Sequence, residues 1–166
     1  GDSKWITNEK ARRYARSLRG QYQAMLVGAN TIIKDDPHLG VRIRGKKNPL
    51  RIILGSKVPK NSQVLRDENV LIINPKSMKD LLSILRKKGI ISVLVEGGGK
   101  TLGKFIDAGV VDKVYAFYAP ILIGGDHAIS AIGGLGVKTI KDSLHLKNLS
   151  YKKIGDNILT IGYTEK

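Results

Sequence analysis

The sequence predicts an α/β domain built on a mainly parallel sheet, with helices on both faces and an antiparallel C-terminal hairpin. Short apolar runs of strand length alternate with amphipathic segments of helix length through most of the chain, which is the pattern of a parallel sheet. Gly or Pro closes several of these segments. Near the end, the runs 144–154 and 158–163 flank Gly155-Asp156-Asn157 and are expected to pair as a hairpin.

The first elements are a helix and a strand-to-helix unit. Thr7 is the expected N-cap of a helix over 8–20 whose basic side faces water. Its apolar side has the spacing i, i+3, i+4, i+7 and consists of Ala11, Tyr14, Ala15 and Leu18. Residues 24–28 form a short buried strand that leads into helical residues 30–33. Pro37 ends that helix, because the residue before a proline is pushed out of the helical region.

The rest of the alternation follows in order. Ser77 is the expected cap of a helix that ends at Gly89, and another helix begins near Thr101 after a glycine triplet. The apolar stripe of the first of these helices consists of Met78, Leu81, Leu82 and Leu85. The further strands are expected at 50–54, 70–73, 91–95 and 114–119. Residues 121–136 form a glycine-rich excursion.

Composition excludes several classes of protein. The 166 residues are 42% hydrophobic, which suits one folded domain, and the absence of cysteine excludes disulfides and thiolate chemistry and fits a cytoplasmic protein. The three histidines are far apart in sequence, so we expect them on the surface or in loops, with no metal site. The net charge of +15 raises the hypothesis of a nucleic-acid surface. Because the basic residues are scattered and aromatics make up only 5%, solvated faces with a few phosphate-binding arginines are favoured.

The most informative segment is 93–102, where Glu96 ends an apolar run and three glycines follow it. A carboxylate at the end of a buried strand requires a cleft or a partner. The glycines allow a sharp turn and a close approach to a ligand, and the helix after them offers free N–H groups to an anion such as phosphate. A P-loop would need Gly in place of Leu94, and G-x-G-x-x-G would need Gly in place of Leu102. Both common nucleotide motifs are therefore excluded.

Four segments together resemble the C-terminal reductase domain of the bacterial riboflavin-biosynthesis deaminase/reductase, which has a dihydrofolate-reductase-like, three-layer fold. They are 1–7, 26–39, 48–51 and 95–102, and the resemblance continues through Ala119-Pro120, Gly124-Gly125 and 155–159. It implies NADPH-dependent reduction of 5-amino-6-(5-phosphoribosylamino)uracil to the ribitylamino product. Two alternatives stay open: reduction of the undeaminated 2,5-diamino-6-ribosylamino-pyrimidinone phosphate, and, in a different class, a basic nucleic-acid-binding domain.

The resemblance also implies the site residues. The positions that match substrate contacts are Ser3, Arg19, Leu39, Arg42 and Glu96. The positions that match contacts to the cofactor NADPH are Trp5, Thr31, Asp35, Ser56, Gly98, Gly99, Lys100, Thr101, Leu102, Gly103 and Lys104. Glu96 and Asp35 are the candidate catalytic residues, since Glu96 can orient the reacting carbon and Asp35 can hold a hydroxyl or the carboxamide.

Each of these roles except that of Glu96 has a structural alternative. Asp35 can instead cap the Asp-Asp-Pro turn, Arg19 can complement the dipole of its helix, and Trp5 can be ordinary core. The family's first strand, of the pattern Leu-Lys-x-Ala-x-Ser-Leu-Asp-Gly, lies upstream of Gly1. It is expected between the strands at 91–95 and 114–119, supplied by preceding residues or by a separate segment. A homodimer and a fused or separate deaminase domain are further expectations from the resemblance.

Overall fold

The computed structural model describes residues 5–43, 45–66 and 68–165. In these ranges the helices are α1 (Glu9–Arg19), α2 (Ala29–Asp35), α3 (Met78–Lys87) and α4 (Gly99–Asp107). The strands are β1 (Ala24–Gly28), β2 (Leu50–Leu54), β3 (Val70–Ile73), β4 (Val93–Val95), β5 (Lys113–Tyr118), β6 (Leu146–Ile154) and β7 (Asn157–Thr164). Short 3-10 turns cover Gln63–Arg66 and Ile140–Asp142. The predicted α/β class is confirmed.

The strands form two sheets. One is parallel, with the order β3-β2-β1-β4, and the other is antiparallel, with the order β5-β7-β6, so the predicted C-terminal hairpin is confirmed. Strands β4 and β5 are edge strands, and no backbone ladder joins them within the described ranges. In the parallel sheet Gly28 aligns with Leu54, and Leu26 aligns with Val95. The carboxyl ends of β1, β2 and β4 therefore meet at one edge, where open α/β sheets place their ligands.

The core explains why β1 is apolar throughout. Ala24 and Leu26 pack in a cluster with α3 and α4, whereas Met25 and Val27 pack in a cluster with α2 on the other face. All four side chains are at most 1% exposed. A strand buried on both faces must be a continuous apolar run, because neither side faces water. The predicted arrangement of helices on both faces is confirmed.

Helix α1 packs on the antiparallel sheet and is tied to its hairpin. Asn8, not the predicted Thr7, is the N-cap, with its side-chain oxygen accepting from the Ala11 N–H at 2.8 Å. The Asn8 backbone N–H donates to Asn157 Oδ1 at 2.8 Å, and its side-chain amide donates to the Ile154 carbonyl at 2.8 Å. An amide both donates and accepts, so Asn8 can cap the helix and hold the hairpin turn together. The side-chain amide donates in addition to Asp156 Oδ1 at 2.5 Å, and a threonine hydroxyl, which has a single proton, could not donate to both hairpin acceptors.

Some element boundaries and one position of an apolar stripe differ from the predictions. Strand β4 begins at Val93 rather than Ile91, which is 89% exposed. Helix α4 begins at Gly99 rather than near Thr101, with Gly98 as its N-cap. Leu82 is 41% exposed and lies outside the apolar stripe of α3, because it is rotated by about 100° from its buried neighbour Leu81.

A tyrosine and lysine cluster connects the segment before β1 to the antiparallel sheet. The hydroxyls of Tyr22 and Tyr115 lie 3.1 Å apart. Burial, followed by the hydrogen bond with Tyr115, raises the pKa of Tyr22 above its usual range. The Lys113 ammonium lies 4.8 Å from the Tyr163 ring centroid and 4.9 Å from that of Tyr115. Its contacts with the Tyr163 and Tyr115 side chains raise the pKa of Lys113.

In the described ranges, no helix is both long and apolar enough to cross a membrane.

Candidate functional site

A cleft of about 470 Å³ lies between α1 and the loop that follows α2. Its lining is dominated by cationic and polar side chains. The lining residues are Trp5, Arg12, Ala15, Arg16, Arg19, Asp35, Asp36, Pro37, His38, Leu39, Arg42 and Gln63. The structure thus brings together five residues predicted from separate parts of the sequence: Trp5, Arg19, Asp35, Leu39 and Arg42.

Helix α1 supplies three of the four arginines in this cleft. Arg12, Arg16 and Arg19 are spaced i, i+4 and i+7, so they follow one side of the helix. All three are half-buried. The expectation that the basic side of this helix faces water is therefore wrong, because this side forms the wall of a cleft.

Glu96 finds the partner that its place at the end of a buried strand requires. It follows β4 directly, and its backbone N–H donates to the Leu26 carbonyl at 2.9 Å. Arg19 Nε and one terminal nitrogen donate to the two Glu96 carboxylate oxygens at 2.8 and 2.7 Å. This is a forked pair, the geometry that carboxylate recognition by arginine favours. The side chains are only 14% and 29% exposed, so the pair is shielded from water.

Arg19 also fixes the loop across the cleft. Its remaining terminal nitrogen donates to the Gly40 carbonyl at 3.0 Å, so every guanidinium nitrogen is engaged. One side chain thereby connects the end of α1, the end of β4 and the loop after α2. Arg19 does more than complement the dipole of its helix.

The loop over residues 36–42 has an unusual backbone. Asp36, Leu39 and Arg42 have positive φ angles of 38°, 58° and 53°, a region that residues other than glycine rarely adopt. Such positions cost of order 1–3 kcal/mol each and persist only where the surroundings impose them. Backbone strain of this kind concentrates at ligand and active sites, which supports a functional role for the cleft.

Asp36, rather than Asp35, holds the turn after α2. The Asp36 carboxylate accepts from the Gln63 backbone N–H at 2.8 Å and from the Gln63 side-chain amide at 3.3 Å. Asp35 is exposed and makes none of the described side-chain hydrogen bonds. Among the described contacts, the carboxylate that anchors this turn is therefore that of Asp36, while Asp35 lines the cleft.

Trp5 and His38 both contribute to the cleft. Trp5 is 69% exposed, so it is not core, and the Arg12 guanidinium lies 4.2 Å from its ring centroid in a cation–π contact. His38 lies in the 36–42 loop, in agreement with the expectation of a surface or loop position, and there it is half-buried and lines the cleft. Its Nδ1 accepts from the Gly40 N–H at 3.2 Å, and its carbonyl lies 3.5 Å from the fully buried Arg51 guanidinium.

The residues predicted to contact the cofactor lie mostly outside this cleft, at the same sheet edge. Thr31 is half-buried in the first turn of α2, and Ser56 is exposed just after β2. The 98–104 segment is the N-cap and most of α4. Ser3 lies outside the described residues. No cluster of three or more metal-ligating side chains occurs in the described ranges.

The glycines around α4 serve two different purposes. A Cβ on Gly98, the N-cap of α4, would meet nothing within 4 Å, so the space beside this residue is open among the described residues. A Cβ on Gly99 would lie 2.4 Å from the Ser130 carbonyl oxygen, and one on Gly103 would lie 2.1 Å from that of Gly133. Gly99 and Gly103 therefore let the 130–134 backbone pack directly on α4. The side of α4 at Gly99 and Gly103 is therefore covered by this backbone and is not available to a ligand.

Sequence reasoning missed Arg12, Arg16, Asp36, His38 and Gln63 as members of the cleft. The arginine spacing on α1 was visible in the sequence and is the signal that would have found Arg12 and Arg16. The other three are brought in by the left-handed turns of the loop.

The fold and the site define an α/β domain of the dihydrofolate-reductase-like type with an arginine-lined cleft beside the carboxyl ends of its parallel strands. Comparison with known families agrees, since the profile of the RibD C-terminal domain matches residues 1–160. The chain belongs to the RibD C-terminal domain family.

Individual members of this family are similar to the chain in sequence and in structure. The riboflavin biosynthesis protein RibD of Bacillus amyloliquefaciens is 37% identical over 188 residues, covering 95% of this chain and 51% of the relative. RibD of Acinetobacter baumannii (form 1) superimposes with a TM-score of 0.89 at 25% identity, covering 99% of this chain and 53% of that one. A deaminase/5-amino-6-(5-phosphoribosylamino)uracil reductase of Thermotoga maritima superimposes with a TM-score of 0.81 at 29% identity, covering 99% of this chain and 51% of that one. The chain spans about half the length of these relatives.

Proposed function

We propose that this chain is the reductase domain that reduces 5-amino-6-(5-phosphoribosylamino)uracil with NADPH to the ribitylamino product in riboflavin biosynthesis. The observation that carries the proposal is the cleft lined by Arg19, Arg42 and Asp35, together with the ion pair that Arg19 forms with Glu96 at the end of β4. A phosphorylated sugar needs cations for its phosphate and hydrogen-bonding groups for its hydroxyls, and the cleft offers both. The name of the Thermotoga relative includes this reductase activity.

The substrate end of the site is assigned to Ser3, Arg19, Leu39, Arg42 and Glu96. Glu96 is held in one orientation by the forked contact with Arg19, so its oxygens can accept from substrate hydroxyls with little loss of side-chain freedom. Arg42 makes none of the described intramolecular contacts and is available to an anion. Leu39 is only 5% exposed and contributes an apolar floor.

The cofactor end is assigned to Trp5, Thr31, Asp35, Ser56 and residues 98–104. The fit rests on α4, whose N-cap Gly98 makes no side-chain capping bond and has open space around its Cα. The first N–H groups of a helix lack intrahelical partners and attract anions, so this end suits the phosphates of a dinucleotide. Lys100 is exposed in the same turn and adds a positive charge.

The chain's own contribution to the reaction is positioning. NADPH supplies the hydride when it is bound. We assign Glu96 and Arg42 to the sugar end of the substrate, and we assign Asp35 and Trp5, which line the cleft with Arg42, to the nicotinamide end of the cofactor. Holding two reactants at near-attack distance can account for a large part of a rate enhancement, so no covalent nucleophile is required. Asp35, which makes none of the described side-chain hydrogen bonds, is the candidate to bind a hydroxyl or the nicotinamide carboxamide.

The remaining expectations from the family belong to this proposal. They are a cytoplasmic location, a homodimer, a fused or separate deaminase domain, and a strand between β4 and β5. In the described ranges each of these two strands is the last of its sheet and has no strand on its outer side, which supports the last of these expectations, because buried backbone groups need hydrogen-bonding partners. The undeaminated diaminopyrimidinone phosphate is the alternative substrate, and the chain contains no described residue that separates the two.

The test is oxidation of NADPH, followed by absorbance, with the full-length protein and each of the two pyrimidine phosphates. We expect turnover with one of them, a preference for NADPH over NADH, and a loss of at least about tenfold in kcat/KM for Glu96→Gln. Glu9→Gln, which removes an exposed carboxylate from α1, is the matched control and should behave like the unmodified protein. Absence of turnover with both substrates, together with salt-sensitive binding to RNA or DNA, would overturn the proposal in favour of a nucleic-acid-binding domain.

A further inference from the structure

The cleft contains more cationic groups than the proposed substrate contacts use, and they are not equivalent. Arg19 is neutralised by Glu96, and all its guanidinium nitrogens are already engaged. Arg12 donates to the Thr7 carbonyl and lies over the Trp5 ring. Of the four arginines, two therefore remain without described intramolecular partners: Arg16 and Arg42.

Charge balance shows why both matter. A phosphate monoester carries about −1.5 to −2 charges at neutral pH. The cleft is lined by four arginines and by the carboxylates of Asp35 and Asp36, and Glu96 pairs with Arg19, so the site as a whole has one positive charge in excess. Arg16 half-buries its side chain in this cleft, and without it the excess of positive charge that attracts a phosphate would be lost.

We propose that Arg16 and Arg42 together bind the phosphate of the substrate, and that Arg16 is thereby a specificity-determining residue for phosphorylated over unphosphorylated sugars. This inference rests on the proposed function for the identity of the ligand. Forked guanidinium donors recognise phosphate oxygens in pairs, so two arginines on opposite sides of the cleft can satisfy a terminal phosphate. Arg16 is held on a helix, whereas Arg42 is held by a left-handed turn, so both are presented from fixed backbone positions.

The alternative role for Arg16 is purely structural, because a basic residue in the last turn of a helix favours the helix dipole. Arg86 provides a matched control, since it is an exposed arginine in the last turn of α3 and lies outside the cleft. If the dipole is the only role, Arg16→Gln and Arg86→Gln should both lower the melting temperature slightly, and neither should change ligand affinity.

The experiment measures binding of ribose 5-phosphate and of ribose by titration calorimetry, without cofactor, on the full-length protein. We expect Arg16→Gln to weaken ribose 5-phosphate binding by about tenfold, the effect of one charge-assisted contact in a partly exposed cleft. Arg42→Gln should have a similar effect, Arg86→Gln should have none, and binding of ribose should not change. Arg16→Lys keeps the charge but loses the forked donors, so its affinity for ribose 5-phosphate should lie between those of Arg16→Gln and the unmodified protein.

The pH dependence adds a second readout. Because the second phosphate ionisation has a pKa of about 6, the loss caused by Arg16→Gln should be smaller at about pH 5 than at about pH 7.5. The inference would be overturned by an Arg16→Gln affinity for ribose 5-phosphate within about twofold of the unmodified protein, or by absence of ribose 5-phosphate binding in the unmodified protein. Arg16-dependent phosphate binding without NADPH oxidation would instead overturn the proposed reaction and leave this inference standing.

Discussion

The shielded pair of Arg19 and Glu96 should be energetically distinct from the exposed pair that the same chain offers for comparison. Arg13 and Glu9 form a single contact at 3.2 Å on the outer side of α1, where the two side chains are 71% and 68% exposed. Exposed pairs of this i, i+4 kind contribute about 0.3–0.5 kcal/mol. Arg19 and Glu96, the inner pair, make two short contacts, and their side chains are 14% and 29% exposed. We expect a coupling free energy of about 1.5–3 kcal/mol for it, the range of hydrogen bonds to charged groups.

The measurement is a double-mutant cycle for each pair. Arg19→Gln, Glu96→Gln and the double variant are compared by urea unfolding with the corresponding variants of Arg13 and Glu9. The cycle removes the separate effect of losing the Gly40 contact, which is common to both variants that lack Arg19. Each single substitution in the inner pair should also destabilise the fold by more than its outer counterpart, because it leaves a poorly solvated charge without a partner. Equal coupling free energies in the two cycles would refute the reasoning.

Three further outcomes are expected. Gly103→Ala should lower the free energy of unfolding by about 1–3 kcal/mol in thermal melts, because its Cβ would lie 2.1 Å from the Gly133 oxygen. An ordinary substitution of this kind inside a helix stabilises by about 1 kcal/mol, so a gain would contradict the packing described. Asp36→Ala should lower the free energy of unfolding in urea by about 1–2 kcal/mol, since the backbone and side-chain amides of Gln63 lose their acceptor. An unchanged urea midpoint would argue that these hydrogen bonds do not stabilise the fold. Above about pH 10 the unfolded chain loses the Tyr22 proton while the folded chain keeps it, so the free energy of unfolding should fall as pH rises. Tyr22→Phe removes this proton, so the urea midpoint of the variant should fall less steeply with pH across this range.

The elements that could be predicted are those whose signals are local. β1 is apolar at every buried position because both of its faces are covered, and the Ser77 side chain caps α3 as predicted, accepting from the Asp80 N–H. Glu96 could be recognised as needing a partner, because a carboxylate at the end of a buried strand is costly unless it is paired.

The details that could not be predicted depend on contacts distant in sequence. Arg19 and Glu96 are 77 residues apart, and no local pattern joins them. The left-handed turns at Leu39 and Arg42 are invisible in sequence, because neither residue type favours that backbone region. Asn8 replaced Thr7 as the cap because the distant hairpin turn supplies additional hydrogen-bonding partners to an amide.

Helix α1 is fastened at both ends, at Asn8 to the hairpin turn of the antiparallel sheet and at Arg19 to the end of β4 in the parallel sheet. The helix therefore links the two sheets mechanically, and the same helix forms one wall of the cleft. A ligand that fixes the wall should also restrain the position of the hairpin, which lies about three helical turns from Arg19. Conversely, we expect loosening of the hairpin to change the affinity of the cleft for its ligand, although none of the residues that line the cleft belongs to the hairpin.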